Sequence, residues 1–266
     1  DSSLTFCLAD SLQNGYDLRD MADQFVRWLR EAHWTARDRV FDVGNNTHNS
    51  IRNLEELLRA EGDEQLKALT TIENEYENGN GSLMRILPLL FYIKEMPIAE
   101  QFARIHEVSA LTHRHSRAAM SCLIYLKLAE NLLEGKEKLQ AYRDMRNEVN
   151  AFWDTLSWWP AEERSRFDKI MAQDLLDADV DQLSGSGYVL PTLEAALYFF
   201  LRENNYSDTV LGLINLGFDT DTNATVGGGL AGLYYGAARI PGNWLEQLAR
   251  RQDIETLGQE LAEKYL

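Results

Sequence analysis

The segment Gly217-Phe218-Asp219-Thr220-Asp221-Thr222 concentrates carboxylate and hydroxyl oxygens within a few residues. On a regular helix, carboxylates two positions apart splay away from each other, but in a turn that precedes a helix they can converge on one cation. Oxygen donors of this kind suit a hard ion such as Mg2+ or Mn2+. An EF-hand loop opens with the same pattern at Asp219, Asp221 and Asn223. It also needs Gly at its sixth position and Glu at its twelfth, where Ala224 and Leu230 stand. Capping of the following helix by Asp219 or Asp221 would use the same residues. Spacing alone does not separate a cap from a metal site.

Other segments carry weaker signals. Asn78-Gly79-Asn80-Gly81-Ser82 precedes an apolar run from Leu83 to Tyr92. Glycines let backbone amides approach a phosphate, and a helix starting at Leu83 would leave its first-turn amides free to donate. The loop lacks the GK[ST] of a Walker motif and the preceding strand of a dinucleotide fingerprint. Arg85, just beyond it, suits a carboxylate or a phosphate, with structural pairing as the default. His113 and His115 have too few neighbouring ligands in sequence for zinc, which leaves a nucleotide contact or a hydrogen-bonded structural role. Asp42-Val43-Gly44-Asn45-Asn46 and Ser184-Gly185-Ser186-Gly187-Tyr188 also interrupt the helical rhythm, yet Gly, Asn, Ser and Asp are equally the residues of plain turns.

The elements that must position these loops read as helices. Asp17 is an N-cap for a helix burying Met21, Phe25, Trp28 and Leu29, and Ile51, Leu54, Leu57 and Leu58 mark a second amphipathic stretch. Pro97 suits the first turn of a helix through Phe102, Ile105 and Val108. Further helical runs cover 116–134, 137–154, 192–203 and 206–216, and no sustained alternation marks a strand. After the acidic loop, Gly228, Gly232 and Gly236 recur every four residues. Each interior helix glycine costs roughly 1 kcal/mol, so close backbone packing along that face is expected in compensation. With no linker or repeat, the pattern predicts one compact all-α domain over residues 1–266.

Composition sets limits. At 266 residues and 45% hydrophobic, the chain can bury a sizeable core, and no apolar run is long enough to span a bilayer. A net charge of −16 argues against nucleic acid or an anionic membrane as partner, but not against a small phosphorylated ligand met by a metal or by amides. Cys7 and Cys122 form no CxxC pair and read as reduced, buried thiols, so a cytoplasmic protein is expected.

Taken in order, the loops resemble those of the ADP-ribosylglycohydrolase family. Asp1-Ser2 resembles the end of its TDDT motif, with Ser2 in place of the last Thr, and Asp42-Val43-Gly44-Asn45 resembles D-[IV]-G-N. Gly79 to Arg85 resembles GNGxxMR, Thr112-His113 its TH pair, and Ser186-Gly187-Tyr188 its SGY segment. Gly217 to Thr222 resembles GGDTDT, with Phe218 replacing the second Gly.

The resemblance implies a single all-α orthogonal multi-helix domain with two adjacent Mg2+ ions (Mn2+ as a substitute). Asp1, Asp219, Asp221 and Thr222 would be their ligands. It further implies a hydrolase that removes ADP-ribose from modified side chains, foremost arginine, with Asp42, Asp219 and Asp221 as catalytic carboxylates. Substrate would be held by Asp42, Gly44 and Asn45, by Gly79, Asn80, Gly81 and Ser82, and by His113, Gly187 and Tyr188. The implied partner is an ADP-ribosylated protein or a small ADP-ribose conjugate, acted on by a monomer. The family's earlier GD-rich helix, a glutamate and the first half of TDDT have no counterpart before Asp1, so a trimmed chain is expected. The rival is an impaired relative that binds ADP-ribose, inhibits or serves a structural role like that of certain lens crystallins.

Overall fold

In a computed structural model, residues 1–59, 62–171 and 175–266 are described. Among them the secondary structure is helical, with short 3-10 turns and no β-strand. The helices are α1 (Ser2–Leu12), α2 (Leu18–Glu31), α3 (Asn45–Leu57), α4 (Glu64–Lys67), α5 (Leu89–Ile93), α6 (Ile98–Ala110), α7 (Ser116–Leu133) and α8 (Lys138–Trp153). They continue as α9 (Ala161–Ser165), α10 (Asp168–Met171), α11 (Val189–Arg202), α12 (Tyr206–Asn215), α13 (Thr220–Tyr235), α14 (Gly242–Gln247) and α15 (Arg251–Tyr265). Two compact units result. The first comprises Asp1–Cys122 with Asn243–Leu266, the second Leu123–Gly242.

In the first unit, α2 packs against α1, α3 and α6. The Asp17 carboxylate accepts from the Arg19 and Asp20 amides, which fixes where α2 starts. Met21, Phe25 and Trp28 are buried as their spacing predicts, while Leu29 is only half-buried. Burying each such large side chain contributes about 1.5–3 kcal/mol. The unit is closed by α15, which lies on α1. The Tyr265 hydroxyl donates to the Leu12 carbonyl at 2.6 Å, and the Lys264 ammonium donates to the Gln13 carbonyl at 2.7 Å.

The expected helix from Leu83 is not formed. Leu83–Arg85 is a 3-10 turn, and only the five residues of α5 become α-helical. Pro88 sits at the head of α5; it lacks an N–H, so a ladder running through it loses a bond and its ring crowds the preceding turn. The expected first-turn amides of an α-helix at Leu83 are therefore replaced by those of the 3-10 turn and of the loop itself.

In the second unit, α13 is held between α11 and α12. The glycine that makes this possible is Gly227, not the predicted four-residue series. A β-carbon at Gly227 would lie 2.2 Å from Leu213 Cδ1 and 3.6 Å from Ala196 Cα. At Gly228 it would meet only ordinary contacts at 3.5 Å, and at Gly232 and Gly236 nothing within 4 Å. Gly236 has a different task, ending α13 with φ of +82°, where a side chain would be strained.

Candidate active site

The first unit brings three of the sequence-predicted segments together. The Thr112 carbonyl accepts from Asn46 Nδ2 at 2.9 Å and from Ser50 Oγ at 3.1 Å, tying the start of α3 to the Thr112-His113 pair. His113 then lies directly against Gly81: a β-carbon there would be 2.6 Å from His113 Cε1 and 3.2 Å from Thr47 Oγ1. Only glycine fits, so the loop backbone rests on the imidazole. The Arg85 guanidinium donates to the Gly81 carbonyl and, at 3.3 Å, to that of Val108, with its plane over the Phe25 ring at 4.8 Å. Cys122 Sγ lies 3.7 Å from the Ser82 hydroxyl.

Burial governs the electrostatics of this cluster. It drives the His113 imidazole down to about 3, with Arg85 and Arg114 pushing the same way, so the ring is neutral at physiological pH. His113 is 3% exposed and meets the loop backbone, which makes it a floor for that backbone. Arg85, fully buried, is lowered to about 10 by desolvation and stays cationic. The Cys122 thiol is raised to about 12 by burial, which leaves it protonated and unsuited to nucleophilic attack. His115 belongs to a different set: its Nε2 lies 3.1 Å from Glu75 and 3.5 Å from Glu73, beside Arg117–Glu75 at 2.9 Å and Arg114–Glu77 at 3.3 Å.

Asp42, Gly44 and Asn45 are exposed, with Asp42 in the left-handed region at φ of +50°. Gly79 is half-buried, Asn80, Gly81 and Ser82 are buried. Asp1 stands at the N-cap of α1. Its carbonyl accepts from the Thr5 amide at 3.1 Å, and the Thr5 hydroxyl is also 3.3 Å from the Met84 carbonyl, which ties this turn to the 3-10 turn after the glycine loop.

The second unit joins the other two segments. The Asp219 amide donates to the Gly185 carbonyl at 3.0 Å. A β-carbon on Gly185 would fall 2.4 Å from the Gly217 carbonyl oxygen, and one on Gly187 would fall 3.0 Å from Asp219 Oδ2. The Gly185–Gly187 turn is thus pressed against the acidic loop. Tyr188 heads α11 immediately after it. Asp219 is the N-cap residue of α13, but its carboxylate makes no capping hydrogen bond. Asp221 is exposed and Thr222 buried.

One residue of this lock was read in the sequence only as an EF-hand position. Asn223, fully buried, donates through Nδ2 to the Gly185 carbonyl at 3.0 Å and to the Asp219 carbonyl at 2.6 Å. The available signal was an amide one helical turn after Asp219, on the face that also buries Val226 and Gly227.

Among the described residues, no group of three or more His, Cys, Asp and Glu side chains is gathered closely enough to hold a metal by itself. The donors at the head of α13, two carboxylates and a hydroxyl, are all hard oxygens. That chemistry fits Mg2+, which is commonly held by one or two carboxylates and keeps several of its waters.

Residues 1–266 match the family described as ADP-ribosylglycohydrolase. The chain belongs to the ADP-ribosylglycohydrolase family. Similar proteins include the ADP-ribosylarginine hydrolase Tri1 of Pseudomonas putida (strain GB-1), 30% identical over 99% of this chain and 66% of that protein. Tri1 of Serratia proteamaculans (strain 568) is 27% identical over 98% of this chain and 66% of its own length. The ADP-ribosyl-[dinitrogen reductase] glycohydrolase of Rhodospirillum rubrum is 24% identical, over 96% and 74% respectively. The chain thus spans just under two thirds of the two Tri1 proteins. A solved structure titled ADP-ribosylglycohydrolase-related protein complex superposes with a TM-score of 0.73 at 28% identity, covering all of this chain and 81% of the other. Among the described residues no helix is long and apolar enough to cross a membrane.

Proposed function

We propose that the protein hydrolyses the bond between ADP-ribose and a modified protein side chain, foremost arginine, with Mg2+ as cofactor. The observation that carries this is the lock on the acidic loop. The Gly185 carbonyl holds the Asp219 amide and the Asn223 side chain together, so the carboxylate-bearing turn is preorganised in a chain that matches the family throughout. The names of the two Tri1 relatives favour arginine over other carriers.

In this reading Asp219, Asp221 and Thr222, with Asp1, are the metal ligands, and Mg2+ when bound supplies Lewis acidity toward water and ribose hydroxyls. Asp42, Gly44 and Asn45 contact the substrate, as do the Gly79–Ser82 loop and the Gly187-Tyr188 turn; His113 supports the glycine loop from beneath. In the reaction the oxygen of water bonds to the anomeric carbon. The C–N bond breaks, its electron pair leaves with the guanidine nitrogen, and a carboxylate takes the water proton and passes it on to that nitrogen. Asp42 and the acidic pair of the α13 loop are the carboxylates for this transfer.

The test is a panel of arginine-, serine- and other ADP-ribosylated peptides with Mg2+ or EDTA, alongside melting curves. Wild type should release ADP-ribose only with Mg2+. At Mg2+ about a hundredfold above its Kd, binding linkage raises stability by about 2.7 kcal/mol. Asp219→Ala and Asp221→Ala should lose both responses. Should the wild type show no metal response while both variants are merely less stable, the carboxylates serve only the fold and the catalytic reading falls.

A further inference from the structure

Phe218 is the misfit of the acidic loop. Its φ is +58°, a region where a bulky side chain crowds its own backbone, and its side chain is 90% exposed. Burial therefore offsets nothing. The conformation is imposed from both sides: Gly217 before it is pressed on Gly185, and Asp219 after it is bonded to Gly185 and packed on Gly187. A glycine would sit here without strain, and the family motif quoted above has one. A strained, water-exposed aromatic ring that contributes nothing to the core, next to the residue proposed for the chemistry, needs a reason outside the folded chain.

Two other strongly exposed rings stand beside candidate loops in sequence. Tyr76, 93% exposed, lies three residues before Gly79, and Phe41, 69% exposed, adjoins Asp42. Exposed rings thus border the candidate loops in sequence.

We infer that Phe218 is a specificity-determining residue whose ring receives the planar, cationic guanidinium of an ADP-ribosylated arginine. The inference rests on the proposed function, and it names what selects the carrier. The bond to be broken joins the ribose to the guanidinium, so a site that places the anomeric carbon by Asp219 places the guanidinium next to the neighbouring residue. A ring face attracts a planar cation by its quadrupole, whereas a serine-linked glycosidic oxygen offers it neither charge nor plane.

The experiment compares wild type with Phe218→Gly, Phe218→Leu and Phe218→Tyr. Three quantities are read: kcat/KM on arginine- and serine-linked ADP-ribosyl peptides, the Kd of free ADP-ribose, and the melting temperature. Phe218→Gly and Phe218→Leu should lower kcat/KM on the arginine conjugate by about 2- to 30-fold, the worth of one cation–π contact. The serine conjugate and the Kd of ADP-ribose should not change, because neither presents a guanidinium. Phe218→Tyr should restore the preference. Phe218→Gly should melt at or above wild type, since it relieves the strained φ, so its loss cannot be ascribed to unfolding. Equal losses on both conjugates, or a weakened Kd for ADP-ribose, would mean that the ring meets the ADP-ribose part and would overturn the inference. An unchanged preference in Phe218→Gly would overturn it as well, with the proposed function left standing. A wild type that hydrolyses no ADP-ribosyl conjugate takes both down together.

Discussion

Replacing Gly185 by alanine tests the lock on the acidic loop directly. The added β-carbon would start 2.4 Å from the Gly217 carbonyl oxygen, while Leu216 Cβ, at 3.4 Å, already sits at ordinary contact distance. To bring the oxygen out to the same 3.4 Å, the two segments must separate by 3.4 − 2.4 = 1.0 Å. No flexible side-chain end is there to yield; both partners are backbone. Overpacking of this kind costs about 1–3 kcal/mol, which corresponds to a fall in melting temperature of roughly 2–12 °C. The same displacement strains two hydrogen bonds that now span 3.0 Å, from the Asp219 amide and from Asn223 Nδ2 to the Gly185 carbonyl. Because Asp219 is carried on the moving segment, a shift of about 1 Å should reduce turnover by about a hundredfold, more than the loss of stability explains. The assay pairs urea unfolding with ADP-ribose release at saturating Mg2+. Gly185→Ala with wild-type midpoint and turnover would show that the turn is not pressed on Gly217, and the account of the site would fail at its base.

Two further perturbations follow from the geometry. Gly227→Ala drives a methyl group against Leu213 Cδ1 and should destabilise by about 1–3 kcal/mol, whereas Gly232→Ala meets nothing within 4 Å and should stabilise by about 0.5–1 kcal/mol; parallel chemical denaturation decides, and the reverse order would refute the packing described for α13. The folded His113 value of about 3 lies below the ordinary 6.5, so over that interval the unfolded chain holds the proton and the native chain does not. Stability should therefore fall as pH drops below 6.5, by about 1.4 kcal/mol per pH unit for this one proton, with half-buried His106 shifted in the same direction. An NMR titration that found the His113 ring protonating near its ordinary value would contradict the burial.

Much of the framework was legible because helix signals are local. Asp17 caps α2 as its position before Met21 and Phe25 suggested, and α7, α8 and α12 begin and end within a residue or two of the runs read from periodicity. Short elements were not legible: α4, α9 and α10 offer too few turns for a period to show, and Pro88 broke a run whose apolar content alone suggested one helix. For the candidate site, residue type marks the loops but not which of them meet. That Gly81 rests on His113, and that Gly227 rather than Gly228 or Gly232 makes the close approach, depends on which side chain arrives from another element. Nothing in the spacing of glycines carries that information. At Asp219 the backbone shows an N-cap position whose carboxylate makes no capping bond, a detail that residue spacing does not carry.

The way α15 closes the first unit bears on how the chain is made. That unit begins with α1 and α2, yet the Tyr265 and Lys264 bonds to the end of α1 form only after the whole of Leu123–Gly242 has been synthesised. Until then the face of α1 that α15 covers has no partner within its own unit. The second unit is continuous in sequence and has no such wait. Biosynthesis therefore favours the later-begun unit finishing first, while the earlier one remains open at one seam. The nascent protein is open to mispairing at that seam until α15 closes it as a latch.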